Sequence, residues 1–158
     1  METKLCFNDV VLSSASEIFE TMMFMSVRSG QDDECIISGD ELLGTITFKG
    51  EKIQGALFIN CAAQDCHKIA AAMLGLDDPT QVSDTETNDA LGEICNMVMG
   101  SIKARIIGEY GDFHVSIPSV VSGQSLESSL SENSEKYTVK TIVDETFGLV
   151  FSLYYKLV

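Results

Sequence analysis

The sequence predicts an α/β fold, more narrowly α+β: one domain over residues 1–158, with a mostly antiparallel sheet covered by two long helices. Three observations predict it. Short apolar runs joined by tight turns point to hairpins. Two longer segments repeat apolar residues at helical spacing. These two segments also resemble each other. Ser13-x-x-x-Glu17-Ile18-Phe19-Glu20 lies over Asp89-x-x-x-Glu93-Ile94-Cys95-Asn96, which implies a pseudo-twofold repeat of helix plus strands.

The first helix is predicted over Ser13–Met25. Ser13 or Ser14 can cap it, and Glu17 is spaced to close a capping box from Ser14. Ile18, Phe19, Met22 and Met23 form its apolar stripe, and Gly30 breaks the pattern. Leu42–Lys49 and Ile53–Asn60 then read as two strands of a hairpin closed by Gly50-Glu51-Lys52. Gln64–Leu74 is an Ala-rich helix with Gly75 suited to its C-terminal turn. Asp77-Asp78-Pro79 makes a turn.

The longest helix is predicted from Thr87 to Ile107, with Asn88 as cap and Gly108 just beyond its end. Phe113–Val121 is a strand that Pro118 interrupts, which places it at an edge or a bulge. The Ser- and Glu-rich stretch Ser122–Lys136 reads as a solvated loop. Tyr137–Val143 and Gly148–Leu157 are strands joined through Asp144–Phe147.

Composition narrows the function. A formal net charge of −14 with 10 Lys plus Arg opposes binding to nucleic acid or an anionic membrane, since both need clustered cations. No stretch approaches the roughly 18 apolar residues of a membrane span. With no N-terminal apolar run, a cytoplasmic location is expected. The five cysteines (Cys6, Cys35, Cys61, Cys66, Cys95) are odd in number and lack C-x-x-C spacing, so reduced, buried, inert thiols are expected. His67 and His114 are far apart, and Cys61 with Cys66 lacks zinc-site spacing, so no metal site is expected; His67 reads as a surface or packing residue.

On a helical wheel, Leu91, Ile94, Cys95, Val98, Ile102 and Ile106 fall on one side and must be buried. Asp89, Glu93, Asn96, Gly100 and Lys103 form a narrow stripe on the other. Any amphipathic helix has a polar face, and solvation alone would explain it. Two details point further. Asn is a mediocre helix former, and Gly100 costs about 1 kcal/mol against Ala in mid-helix. Gly100 also leaves the stripe flat, as close approach of a partner requires. Met97 and Met99 flank the stripe. The methionines fill core gaps, and these two could also rim a docking face.

The segment Asp89-Ala-Leu-Gly-Glu93-Ile-Cys-Asn96-Met-Val-Met-Gly100-Ser-Ile-Lys103 resembles the signature helix of the CheC/CheX/FliY phosphatases of bacterial chemotaxis. Their pattern is Asp or Ser, three residues, Glu, two residues, Asn, and a Pro further on. Asp89, Glu93, Asn96 and Pro118 match it. Glu17-Ile-Phe-Glu-Thr-Met22 is similar to the first helix of the CheX branch, and Gly44 to Gly75 to the family's hairpin and following helix. The resemblance spans nearly the whole chain. CheC-like members carry the Glu/Asn pair in both halves, whereas here Glu20 stands where the first Asn would be. A carboxylate has no N–H donor and cannot replace a carboxamide.

The resemblance implies a CheC-like fold and a phosphatase acting on the aspartyl phosphate of a CheY-like response regulator. Asn96 would orient the attacking water and Glu93 would pair with the regulator's lysine. Asp89 would support the helix start, since acidic residues favour helix N-termini. The Mg²⁺ would belong to the regulator, with no cofactor in this chain. A homodimer is also implied. Two other readings share these residues: a non-catalytic module that binds a response regulator or motor component, and a structural dimer whose polar stripe is merely wet.

Overall fold

The computed structural model describes residues 6–124, 126 and 134–158. Its first helix, α1 (Phe7–Met23), starts well before the serines that suggested its cap. Phe7, Val10, Val11 and Ala15 are buried and extend the apolar stripe backwards. Ser14 is a buried mid-helix residue whose hydroxyl finds no partner among the described residues, so it caps nothing. Phe24, at φ 55°, ends the helix in the left-handed region.

A short strand, β1 (Val27–Ser29), follows and was not anticipated. β2 (Asp40–Gly50) and β3 (Ile53–Ala62) form the expected hairpin, each somewhat longer than the sequence suggested. α2 (Ala63–Leu74) closes on Gly75 at φ 71°. A single 3₁₀ turn (Pro79–Gln81) is capped by Asp78, whose carboxylate accepts from the Thr80 N–H at 2.9 Å.

The long helix α3 runs Asp84–Tyr110, longer at both ends than expected. Its cap is Ser83 rather than Asn88. The Ser83 hydroxyl accepts from the Glu86 N–H at 3.0 Å, and the Glu86 carboxylate accepts from the Ser83 N–H at 3.1 Å. This reciprocal pair satisfies two orphan donors at once. Gly108 lies inside the helix, and Gly111, at φ 74°, ends it.

The single interrupted strand resolves into two, β4 (Phe113–Val115) and β5 (Ser119–Gln124), separated around Pro118. Both pair with β2 at the sheet edge. Ser122–Gln124 are therefore strand, not loop, and residue 135 already belongs to β6. Residues 125 and 127–133 of the predicted loop lie outside the described residues. β6 (Glu135–Val143) and β7 (Phe147–Leu157) form the second hairpin. Asp144 and Glu145 both take positive φ in its turn, which suits the twist of a tight hairpin.

The seven-stranded sheet has the order β1-β6-β7-β3-β2-β4, with β5 also on β2, and every pairing is antiparallel. The pseudo-twofold repeat is visible in that order. The dyad passes between β3 and β7, the inner strands of the two hairpins. The strand after α1 crosses to pair with β6 of the second half, and the strand after α3 crosses to pair with β2 of the first half. One main core lies between the sheet and the helices, with Phe19, Phe113, Phe151, Leu57 and Ile102 among its fully buried side chains. A smaller cluster of Leu43, Ala56, Phe58 and Tyr154, joined by Leu126, lies apart from it.

Candidate functional site

Burial orients α3. Leu91, Ile94, Cys95, Val98, Ile102 and Ile106 are all buried. Each large apolar side chain of this kind contributes about 1.5–3 kcal/mol when removed from water, so rotation of the helix would be costly. Gly44 of β2 lets α3 sit close to the sheet. A Cβ there would come within 2.6 Å of the Cys95 sulfur and 3.1 Å of Leu91 Cγ.

The opposite stripe faces solvent. Asp89, Glu93, Asn96 and Gly100 are all exposed. Among the described residues the Glu93 and Asn96 side chains have no hydrogen-bond or ion-pair partner, so both remain available to another molecule. A Cβ at Gly100 would meet nothing within 4 Å.

The stripe forms one wall of a groove of about 440 Å³ lined by Asn88, Asp89, Gly92, Glu93, Asn96, Pro118 and Val120. Pro118 supplies the other wall, where a Cβ on Gly92 would touch its ring at 3.6 Å. The β4–β5 connection is thus what brings Pro118 beside the Glu/Asn pair. Gly92 and Asn88 lie on the side of the helix towards β5, and their contribution to the groove was not anticipated from the sequence.

Three flanking residues differ in their use. Met97 is half-buried beside the stripe. Met99 is fully buried in the main core, so it cannot rim a docking face. At 100° per residue it falls about 60° round the helix from Asn96 on the side away from Glu93, past the edge of the stripe and into the core. Lys103 is tied to its own chain. Its Nζ lies 2.9 Å from Asp112 Oδ1, donates to the Phe113 carbonyl at 2.7 Å, and sits over the Phe113 ring. It anchors the end of α3 to β4 rather than reaching for a partner. The same contact holds the Asp112 carboxyl below its usual range.

The equivalent face of α1 is occupied. Glu17 Oε2 accepts from Arg105 at 2.7 Å and from the Ser101 hydroxyl at 2.9 Å, both on α3. The Arg105 hydrogen bond, reinforced by Ser101 and by the guanidinium charge, holds the Glu17 carboxyl below its ordinary value.

Among the described residues no three His, Cys, Asp or Glu side chains converge as metal ligands would. His67 is a packing residue that links two helices, with Nδ1 2.8 Å from the Ala63 carbonyl and Nε2 3.2 Å from Asp84 Oδ1. Cys35, Cys61, Cys66 and Cys95 are buried, while Cys6 is exposed. Burial pushes the Cys95 thiol up to about 12. A hydrogen bond with Cys66, then burial, raises Cys61 well above its usual value. Thiols so far from ionisation make poor nucleophiles. No described helix is long and apolar enough to cross a membrane.

Comparison with known proteins gives one consistent direction. The family model described as chemotaxis phosphatase CheX matches residues 42–141. The chain is similar to chemotaxis protein CheX from Vibrio vulnificus, at TM-score 0.79 and 24% identity, covering 99% of this chain and 100% of that one. A CheC-like superfamily protein from Shewanella sp. PV-4 matches at TM-score 0.79 and 23% identity, covering 98% and 99%. The CheX-CheY-BeF3-Mg+2 complex from Borrelia burgdorferi matches at TM-score 0.70 and 16% identity, covering 97% and 99%. No curated protein matches.

Proposed function

Because the chain belongs to the chemotaxis phosphatase CheX family, we propose that it accelerates hydrolysis of the aspartyl phosphate on a CheY-type response regulator. The observation that supports this most directly is the pair Glu93 and Asn96, exposed at i and i+3 on α3, without a partner among the described residues and facing one groove. The likeness to a CheX bound to CheY supports the choice of partner.

Phosphoryl transfer is mostly positioning and charge stabilisation. In this scheme the regulator supplies the phosphoaspartate and its Mg²⁺. Water attacks phosphorus in line with the departing aspartate oxygen, the P–O bond to that oxygen breaks, and inorganic phosphate leaves. Asn96 contributes a carboxamide with both an acceptor and a donor, suited to fixing a water on the attack line. Glu93 pairs with the regulator's lysine and sets the register of the two proteins. Asp89 does not support the helix start, since α3 begins at Asp84; one turn before Glu93, it reinforces the negative charge that meets the lysine. The protein works in the cytoplasm as a homodimer on this reading, since the sheet leaves β1 and β4–β5 at its edges for pairing.

The test is phosphate release from phosphorylated regulator. Asn96→Ala is expected to abolish the acceleration while leaving regulator binding nearly intact. Full activity in that variant defeats the mechanism. Binding by the wild-type chain without any shortening of phosphate lifetime would leave a docking module in place of a phosphatase.

A further inference from the structure

The groove has a neighbour that the water-orienting scheme does not use. Ile117 is 90% exposed, the most solvent-accessible of the large apolar side chains among the described residues. It precedes Pro118, which forms the groove wall. Its backbone is not loose. The Ser116 N–H donates to the Thr47 carbonyl at 2.8 Å, the Thr47 N–H donates to the Ser116 hydroxyl at 2.9 Å, and that hydroxyl donates to the Ile117 carbonyl at 3.1 Å. Pro118 fixes its own φ and restricts the residue before it. Ile117 is therefore held out into water on a pinned segment, next in the chain to Pro118, which lines the groove with Glu93 and Asn96.

The net charge of the chain does not favour an anionic partner site, so the Glu93 ion pair is not the whole of the affinity. The chain carries −14, and a phosphorylated carboxylate is itself anionic. The cations on the C-terminal half of α3 are engaged elsewhere: Lys103 with Asp112, and Arg105 with Glu17. Apolar contact near the pair must then add to what the Glu93 ion pair supplies. Half-buried Met97 lies on the side of the stripe towards α1, and Ile117 stands on the side of Pro118. Met97 on one side and the Ile117–Pro118 segment on the other are apolar banks, the second reaching the groove through Pro118. Such banks exclude water when a partner docks, which strengthens a central ion pair.

We infer that Ile117 is an affinity-determining contact for the phosphorylated response regulator, burying its side chain against the regulator when Glu93 meets the lysine. The inference rests on the docking proposed above. It assigns Ile117 to binding and not to the hydrolytic step.

The experiment measures dephosphorylation of the phospho-regulator, and binding of the beryllofluoride-activated regulator with Mg²⁺, for wild type, Ile117→Ala and Ile117→Leu. Ile117→Ala is expected to raise KM and the dissociation constant about tenfold, with kcat within about twofold of wild type, consistent with losing one buried aliphatic side chain. Ile117→Leu is expected to restore most of the loss, and thermal stability stays unchanged because the side chain is already in water. Unchanged KM and binding in Ile117→Ala overturn the inference. So does a fall in kcat alone, or a change of oligomeric state by sedimentation without a change in regulator affinity, which would place Ile117 at a contact between copies. Failure of the phosphatase reading shows separately, as wild type that binds the activated regulator but releases no extra phosphate; the binding arm still tests Ile117.

Discussion

Laying α1 over α3 with Glu17 on Glu93 matches burial almost residue for residue. Ser14, Ala15, Phe19 and Met23 are buried, as are Ala90, Leu91, Cys95 and Met99. Ser13, Glu17, Glu20 and Phe24 are exposed, as are Asp89, Glu93, Asn96 and Gly100. The difference lies in length. α1 has ended at Met23, while α3 continues past Gly100 to Tyr110. That extension carries Ser101 and Arg105, which reach across to Glu17. Their counterparts in the first half are Met25 and Ser29, both beyond the end of α1 and neither a cation. Glu93 therefore stays uncovered. Two similar faces were built, and helix length decides which one is left uncovered.

The most severe way to probe this comparison is to give α3 the residue of α1. Asn96→Glu is expected to lower the acceleration of phosphate release about 10²–10³-fold, the range seen when one aligned polar group is lost from a reaction centre. The exposed position makes the folded state indifferent to the change, which an unaltered melting temperature would show. Wild-type turnover in Asn96→Glu would mean the carboxamide has no special role.

A milder probe removes only charge. Glu93→Gln keeps the shape and one acceptor oxygen, and exchanges the other for an NH2 donor. It is expected to raise KM about tenfold at low ionic strength, with the gap closing as salt screens the wild-type pair. A salt-independent gap would argue against an ion pair with the regulator.

Much of this was legible in the sequence. Repeated helical spacing placed both helices, and the i, i+3 relation of Glu93 and Asn96 survived unchanged, because periodicity fixes a face whatever the helix bounds. The bounds themselves did not survive. Ser13 and Ser14 look like caps, yet Phe7, Val10 and Val11 bury enough apolar surface to pull the helix start back to residue 7. At α3 the Ser83–Glu86 box was present in the sequence but lay upstream of the apolar run that drew attention. Gly108 suggested an end, although a single exposed glycine costs too little to stop a helix anchored by Lys103 and Arg105. The groove was not legible, because it depends on a sheet-edge connection bringing Pro118 to Gly92. Nor was the occupation of Glu17, since nothing in a linear pattern shows that Arg105 lies across from it.

A smaller effect is expected from breaking that occupation. Arg105→Ala should lower the melting temperature only slightly at neutral pH, as exposed ion pairs contribute little. Its pH dependence is the informative part. Glu17 is held below its ordinary value of 4.5, so its contribution is present above that pH and is lost as pH falls through the lowered native value. The melting difference between wild type and Arg105→Ala should thus be present at pH 7 and shrink in acid below 4.5. A difference that grows on acidification would show that the pair is not what stabilises this contact.

The smallest effect expected is none. Glu20→Asn completes the Glu/Asn pair on α1, and by sequence pattern alone it should create a second site. On the geometry it should not. Glu17 remains held by Arg105 and Ser101, so it cannot pair with a regulator lysine. Phe24 is 89% exposed where α3 has Gly100, so a bulky ring stands where the other face is flat. Placed in an Asn96→Ala background, Glu20→Asn should leave phosphate release at the level of the background. Measurable recovery there would mean that the carboxamide alone distinguishes the two helices, and that neither the longer α3 nor its hold on Glu17 determines which face acts.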